Sequence, residues 1–388
     1  MSIKTEQKFI LDDLNYKDID NKIIPSENEI IVAIQKAKII TGNTDLKFNK
    51  NSFNIREIDF PKRKKTTLGV YLITITDLNS GNFFSIISKG IRQGFNHNSI
   101  PHEASILQDP SFNTSKNPLN PPCVYHCSID AESTWIFMEY ISKTKPVSSW
   151  NEKDIQIIAT SIGRFNGQFS RKNISTLKWV TRPKIIHIAL NAYSAGIRLL
   201  KTLHNAGTAG YSVALKAAKL LETFMNHFPK KIHWLSRQNM VLCHNDLGPG
   251  ENIFIDLKYR PRTIDWQNCG LSFLGFDPAW TIWKLQKAGE EQSFFCEKNF
   301  LEHYREGLRR SGLNAKLSDV KLSIAICYAL IIIKRQLFML QWRYTIDEGQ
   351  PRHSFTDTFH KTVVHPLNNV EKLDTATENF IKKLEIIN

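Results

Sequence analysis

The sequence predicts an α+β fold with two lobes, an N-terminal lobe built on an antiparallel sheet and a larger, mainly helical C-terminal lobe. Strand-like segments dominate residues 1–140, and segments with apolar residues at helical spacing dominate residues 141–388. One strand-rich stretch, residues 240–266, interrupts these helices. A run of strands followed by a run of helices is typical of α+β proteins and not of alternating, parallel folds.

The first lobe is predicted to begin with a helix and to continue with strands. Ser26 and Glu29 form a capping-box pattern at the start of a helical segment that stops at Gly42. The segment HEASILQ, residues 102–108, predicts a second helix, and turn residues occupy positions 77–81. The predicted strands are residues 53–60, 68–76, 82–89 and 133–141. Residues 1–60 are treated as an N-terminal extension within this lobe.

The second lobe is predicted to follow a linker at residues 139–150. Asn151 is positioned to cap a helix that ends near Phe169. Within the strand-rich stretch, residues 241–243 and 253–255 are expected to pair as a hairpin around Gly-Pro-Gly. The remaining predicted helices are residues 184–204, 212–227, 290–310 and 317–344.

The composition is that of an ordinary globular protein with a strong positive charge. The chain has 388 residues, 41% hydrophobic residues and a net charge of +14, which favours an anionic partner such as a nucleotide. Lysine and arginine are spread along the chain, and the single basic run, residues 61–65, lacks interleaved aromatic residues. We therefore expect no nucleic-acid binding.

Apolar runs and cysteines give no sign of a membrane or an export route. The longest apolar run, residues 322–333, is shorter than the ~20 residues needed to span a bilayer and predicts a buried helix. The N-terminus lacks an apolar signal core, so we expect a cytoplasmic protein. The segment CVYHC, residues 123–127, could offer three metal ligands, but no second pair completes a zinc site. All six cysteines are expected to be free thiols.

The stretch VLCHNDLGPGENIFID, residues 241–256, carries the polar residues that point to a reaction. Phosphoryl transfer from ATP needs a carboxylate for the acceptor hydroxyl and oxygen ligands for Mg²⁺. Asp246 can be that carboxylate, and Asn252 and Asp265 can be the ligands. Such a set needs no further catalytic group, because catalysis here depends on positioning and electrostatics. The alternative is that His244 and Asp246 only cap a turn.

These motifs resemble those of the aminoglycoside phosphotransferase and choline kinase-like superfamily. The resemblance rests on HNDLGPGEN, followed by TIDWQN and then GFDPAW, residues 244–280. It implies a bilobal protein-kinase-like fold, ATP and Mg²⁺ as cofactors, and Asp246 as catalytic base. It further implies that Asn252 and Asp265 hold Mg²⁺, that His244 braces the loop, and that Asp277 is a supporting carboxylate.

Two departures from the family pattern leave one ligand open. Asn245 stands where the family usually has glycine, and the distance from Asp246 to the asparagine is one residue longer than usual. Glu251 therefore occupies the expected ligand position. We favour Asn252 because it directly precedes an apolar strand, although the carboxylate of Glu251 also suits Mg²⁺.

The same resemblance assigns roles in the first lobe. Lys89 at a strand end is expected to reach the phosphates of ATP, and Glu103 from the following helix is expected to pair with it. Gly69 lies where a phosphate-covering loop belongs, and it is the single glycine of that segment. The hinge would be residues 137–141, with backbone groups of Glu139 and Ile141 contacting adenine.

The resulting functional hypothesis is an ATP-dependent enzyme that phosphorylates a hydroxyl group of a small molecule. One alternative is a kinase of the same fold that acts on serine or threonine of a precursor peptide. Another is a nucleotide-binding pseudokinase scaffold, which the presence of a base and two metal ligands disfavours. An aminoglycoside acceptor is not favoured, because a polycation suits an acidic site and the chain is basic.

Overall fold

The chain divides into two compact units, Met1–Thr144 and Lys145–Asn388. The structure is a computed structural model. It describes residues 24–49, 52–58, 67–92, 102–112, 116–130, 133–170, 174, 177, 179–180, 192–201, 204, 212–288 and 297–347. The first unit is built on strands and the second mainly on helices, as the predicted α+β fold class requires.

In its described residues, the N-terminal unit is a five-stranded antiparallel sheet with two α-helices. The strand order is β1-β2-β3-β5-β4. The strands are β1 (Phe53–Glu57), β2 (Thr67–Thr76), β3 (Phe83–Arg92), β4 (Val124–Ile129) and β5 (Ser133–Glu139). The helices are α1 (Glu27–Thr41) and α2 (His102–Gln108). Strand β4 is not among the predicted strands, because its sequence VYHCSI was interpreted only through its cysteine and histidine side chains.

The two helices cover opposite faces of this sheet. Ile30, Ala33 and Ile34 of α1 belong to the same buried cluster as Phe137, whereas Ala104 of α2 packs with Ile136 and Met138. Since successive residues of a strand point to opposite faces, the neighbours Ile136 and Phe137 identify the two sides. The predicted capping box of α1 is confirmed, with Ser26 accepting from the Glu29 N–H and Glu29 accepting from the Ser26 N–H.

The C-terminal unit is mainly helical. Its helices are α3 (Glu152–Gln168), α4 (Ser212–Asn226), α5 (Phe228–Arg237), α6 (Phe276–Ala288), α7 (Glu297–Arg310) and α8 (Leu317–Asp347), and residues 192–201 are also helical. The predicted cap of α3 is confirmed, because Asn151 and Asp154 form a reciprocal capping box. Parts of two predicted helices, residues 184–191 and 290–296, lie outside the described residues.

The strand pairing differs from the predicted hairpin. Strand β6 (Met240–Cys243) pairs with β9 (Gly270–Phe273), and β7 (Ile253–Ile255) pairs with β8 (Pro261–Thr263). The prediction that residues 241–243 pair with residues 253–255 is therefore wrong. The cause is the loop between them, in which the carbonyl of Gly248 accepts N–H groups of residues 251, 252 and 253 and turns the chain away from β6. Strands β7 and β8 are instead closed by a short turn from Asp256 to Arg260.

The apolar run at residues 322–333 lies within α8, as predicted. Ile324, Ile326, Leu330 and Ile333 are buried there. Among the described residues, no helix is long and apolar enough to cross a membrane.

Candidate active site

His244 is a buried residue that anchors the start of the loop 244–252. Its Nε2 lies 2.9 Å from the carbonyl oxygen of Ile264. A carbonyl can only accept, so Nε2 carries the hydrogen and donates it. The imidazole also packs against the ring of Trp266, with 4.5 Å between ring centroids. His244 thus ties the loop to the segment that carries Asp265.

Asp277 holds the backbone of the same loop from the first turn of α6. Its carboxylate accepts the N–H of His244 at 2.9 Å and the N–H of Asn245 at 2.8 Å. Asn245 has a left-handed backbone with φ of 65°, a conformation that asparagine tolerates better than most residues. Burial raises the pKa of Asp277 to about 6, although the hydrogen bonds from Asn245 and His244 act to lower it. Asp277 is therefore ionised at neutral pH and accepts both N–H groups.

Asp246 lies between two asparagine side chains. Its Oδ2 accepts a 3.4 Å hydrogen bond from Nδ2 of Asn268, and its main-chain oxygen accepts a 2.9 Å hydrogen bond from Nδ2 of Asn252. The following residue, Leu247, is buried, and its carbonyl accepts from the hydroxyl of Thr281 at 3.0 Å. Asp246 itself is half-buried. The loop therefore presents this carboxylate from a fixed backbone.

The backbone hydrogen bonds bring Asn252 next to the segment that carries Asp265. The N–H of Ile264 donates to the carbonyl of Asn252 at 3.0 Å. Asp265 follows immediately in a left-handed conformation with φ of 61°, and its carboxylate accepts from Nε2 of Gln267 at 3.2 Å. Holding a non-glycine residue in this region costs about 1–3 kcal/mol and is common at functional sites.

Glu251 is paired with a lysine side chain, which does not favour a role as metal ligand. Its side chain is 56% exposed and forms an ion pair with the ammonium group of Lys284 on α6. Asn252, in contrast, turns its amide nitrogen toward the main-chain oxygen of Asp246. Because that oxygen cannot donate, the group facing it must be the NH₂, and the amide oxygen of Asn252 is directed elsewhere.

Lys89 and Glu103 form the predicted ion pair in the N-terminal unit. The distance between Lys89 Nζ and Glu103 Oε2 is 2.5 Å, and the side chains are 13% and 2% exposed. Lys89 lies on β3 between Ile87 and Ile91, which pack on the same side of the sheet as Ala104 of α2. The alternation of the strand thus explains why Lys89 faces α2.

Gly69 is a strand residue, and its predicted role toward the phosphates of ATP stays a prediction. This residue lies inside β2 at an irregularity of the β2–β3 pairing, opposite Gly90. The sequence assigns it to a phosphate-covering loop, but the connection between β1 and β2 is residues 58–66, of which 59–66 lie outside the described residues. A Cβ at Gly69 would come within 2.6 Å of the ring of Tyr71, so a close side chain explains this glycine.

The predicted hinge residues have distinct surroundings. The N–H of Glu139 donates to the carbonyl of Cys123 at 2.8 Å, and its Oε2 accepts from the N–H of Cys123 at 3.2 Å. The N–H of Glu139 is therefore used inside the N-terminal unit, and the predicted contact of Glu139 with adenine has to come from its carbonyl oxygen. Ile141 follows β5 and is half-buried.

Four residues of the site were not recognised from the sequence. They are Asn166, Asn268, Lys284 and Tyr304. Asn166 carried the clearest signal, because it is a polar residue in α3 beside the apolar positions Ile162 and Phe165. A buried amide in such a stripe needs hydrogen-bond partners. Asn268 lies at the end of the motif TIDWQN, which gave it no role of its own, and Lys284 belongs to no recognisable spacing.

The cysteines do not form a metal centre in the described part of the chain. Cys123, Cys127, Cys243, Cys269 and Cys327 are free thiols. No group of three histidine, cysteine or acidic residues is arranged to hold a metal ion within the described ranges.

One unit has a five-stranded antiparallel sheet, and the other has a helical body that carries the loop 244–252, as in protein-kinase-like proteins. The chain belongs to the phosphotransferase enzyme family, whose model matches residues 117–312. The resemblance drawn from the loop motifs is thereby confirmed. A search of curated proteins found no match.

The chain is also similar to solved structures of kinases, and the first of these, with a TM-score of 0.50, has the same fold. A choline kinase from Cryptosporidium parvum is 13% identical, with a TM-score of 0.50 over 92% of this chain and 96% of that chain. An ethanolamine kinase from Plasmodium vivax is 13% identical, with a TM-score of 0.46 over 94% and 92%. An aminoglycoside phosphotransferase from Streptomyces rimosus is 11% identical, with a TM-score of 0.39 over 79% and 98%. Such low identities bear on the fold and leave the substrate open.

Proposed function

We propose that this phosphotransferase moves the γ-phosphoryl group of ATP to a hydroxyl group of a small molecule, in a Mg²⁺-dependent reaction. The observation that carries the proposal is the support of Asp246, whose backbone is fixed through Asp277 on one side and Asn252 on the other. A carboxylate held in this way can orient an acceptor hydroxyl and take its proton.

In the proposed reaction the acceptor oxygen forms a bond to the γ-phosphorus while the bond from that phosphorus to the β–γ bridging oxygen breaks. The acceptor proton passes to Asp246, and ADP leaves. Lys89, held by Glu103, would bind the phosphates as a cation. The carbonyl of Glu139 and the backbone of Ile141 would contact adenine. These roles follow the general requirements of phosphoryl transfer.

The oxygen atoms near the loop fit a magnesium ion that arrives with the nucleotide. Mg²⁺ prefers one or two protein oxygen ligands together with phosphate and water. Asp265 offers a carboxylate, and Asn252 offers the amide oxygen that its hydrogen bond to Asp246 leaves directed elsewhere. Glu251 is paired with Lys284, which favours Asn252 as the second ligand. When bound, the ion would neutralise charge on the phosphates.

We propose the class of acceptor by analogy with a solved structure of the same fold. The Cryptosporidium parvum protein that shares this fold, with a TM-score of 0.50, is named as a choline kinase. We propose that the present chain also phosphorylates a small molecule of this general kind. A precursor-peptide kinase is the alternative. Screening hydroxyl compounds and peptides for stimulated release of ADP distinguishes the two.

Thermal unfolding with and without Mg-ATP tests the proposal. A ligand present at 100 times its dissociation constant stabilises the folded state by about 2.7 kcal/mol. Millimolar Mg-ATP should therefore raise the melting temperature, and excess EDTA should remove most of that gain. A folded protein with no shift at millimolar Mg-ATP contradicts the proposal.

A further inference from the structure

Asn166 joins α3 to the two elements that carry the catalytic chemistry of the C-terminal unit. It is fully buried. Its Nδ2 donates to the carbonyl of Leu242 in β6 at 2.8 Å and to Oδ2 of Asp277 at 3.3 Å. The same Oδ2 accepts the N–H of His244. Asn166 therefore contacts both the strand that leads into the loop 244–252 and the carboxylate that holds the loop.

Tyr304 of α7 determines which way the Asn166 amide faces. Its buried hydroxyl donates to Oδ1 of Asn166 at 3.0 Å. An amide rotated by half a turn would place its oxygen against the carboxylate of Asp277 and the carbonyl of Leu242, which can only accept. The phenol hydroxyl thus stabilises the orientation in which the NH₂ group faces both acceptors.

Tyr304 has little freedom to move away from this position, because α3 and α7 cross in very close contact. A Cβ at Gly163 would lie 2.1 Å from the carbonyl oxygen of Tyr304, and a Cβ at Gly307 would lie 2.2 Å from that of Thr160. The two glycines therefore allow main chain to meet main chain at the crossing. This contact between the two main chains fixes the position of Tyr304 along the axis of α3.

We propose that Asn166 and Tyr304 are positioning residues for the loop 244–252, which act through Asp277. This role rests on the proposed function, since positioning has a purpose only if Asp246 acts on an acceptor. Neither residue touches the reacting atoms. Their contribution is to hold the carboxylate of Asp277 where it accepts the N–H groups of His244 and Asn245.

The other titratable groups that face this network are Cys243, Cys269, Cys327, Tyr304 and His244. Burial raises the pKa of the thiols of Cys243 and Cys327 and of the Tyr304 phenol. The amide of Asn166 therefore has to stabilise the charge of the Asp277 carboxylate. Replacing that amide with a second carboxylate is a sensitive test of this role.

The first test is Tyr304→Phe, with Tyr328→Phe as a control that removes a phenol hydroxyl from the same unit. Hydrogen exchange at the N–H groups of His244 and Asn245 should become roughly tenfold faster in Tyr304→Phe and stay unchanged in the control. The turnover of Mg-ATP with water as acceptor should fall about tenfold at unchanged KM, since a misplacement of about 1 Å costs on the order of 100-fold.

The second test is Asn166→Asp, measured as a pH profile of the same hydrolysis. At pH 6 the two carboxylates can share a proton, which replaces the N–H donated to Asp277 but not the one donated to Leu242, so activity should be closer to that of the parent than at higher pH. At pH 8 the proton is lost and the like charges repel, so activity should fall about tenfold, whereas the parent shows no such fall.

Two results would overturn the positioning role. One is a Tyr304→Phe protein that melts earlier while loop exchange and turnover match the parent, as expected for a purely structural hydroxyl. The other is an Asn166→Asp profile that is parallel to the parent profile. If the folded parent neither hydrolyses Mg-ATP nor is stabilised by it, the proposed function fails, and the exchange measurement still decides whether Tyr304 holds the loop.

Discussion

The side-chain amide of Asn252 donates a 2.9 Å hydrogen bond to the main-chain oxygen of Asp246. This bond joins the two ends of the loop that carries the proposed base. It also fixes the orientation of the Asn252 amide, because its nitrogen must face the carbonyl. A residue proposed to hold Mg²⁺ and a residue proposed to accept a proton are therefore placed relative to each other by one contact.

The first prediction separates Asn252 from Glu251 as the metal ligand. Asn252→Ala should lower turnover by about 100-fold or more, because it removes both the proposed oxygen ligand of Mg²⁺ and the bond to Asp246. Glu251→Ala should keep most of the activity, because Glu251 is exposed and paired with Lys284. The measurement is turnover as a function of Mg²⁺ concentration. If the effects of the two variants are reversed, Glu251 is the ligand.

The second prediction concerns the ion pair of Lys89 and Glu103. Lys89→Met removes the ammonium group from a carboxylate that is 2% exposed, and breaking a buried pair typically costs about 3–5 kcal/mol. The variant should be less stable by about this amount and should bind Mg-ATP more weakly. Lys36→Met, at an exposed lysine of the same unit, is the control. Unchanged nucleotide affinity in a folded Lys89→Met protein would show that Lys89 does not bind the phosphates of ATP.

The third prediction is a pH dependence of stability at Asp277. Its pKa is raised from 3.8 to about 6 by burial, so between these values the folded state binds more protons than the unfolded state. The contribution of this group is therefore largest below pH 4 and is lost as the pH rises through about 6. An amide does not titrate in this range, so the Asp277→Asn variant provides the reference.

The unfolding free energy of the parent minus that of Asp277→Asn should fall by about 2 kcal/mol from pH 4 to pH 6, since a shift of one pKa unit is worth about 1.4 kcal/mol. Urea unfolding at a series of pH values gives this difference. A difference that rises over the same range would show that the three N–H donors outweigh burial and lower the pKa.

Local signals made much of the fold predictable. The helices α1 and α3 begin where Ser26 and Asn151 form capping boxes with Glu29 and Asp154. These patterns lie within four residues of sequence and do not depend on the rest of the chain. The pair of Lys89 and Glu103 was predicted from the family resemblance, since a lone lysine on a strand and a lone glutamate on a helix give no local sign of pairing.

Strand pairing and side-chain contacts between distant parts of the chain were harder to predict from the sequence. Strand β6 pairs with β9, whose sequence GLSF has no marked alternation, and nothing local distinguishes that partner from the nearer β7. Asn166 and Tyr304 meet across 138 residues. Amide and hydroxyl side chains that act through a third residue have no characteristic spacing, so the support of the loop could be described only from the structure.

The substitution Asp246→Asn tests the central claim most directly. An amide at this position can still lie beside a hydroxyl, but it accepts a proton poorly. The variant should bind Mg-ATP like the parent and should lose about 100-fold or more in turnover, the scale of one general base. Asp265→Asn, as the matched comparison, should weaken Mg-ATP binding itself. If Asp246→Asn turns over like the parent, Asp246 serves only to cap a turn and the proposed catalysis is contradicted.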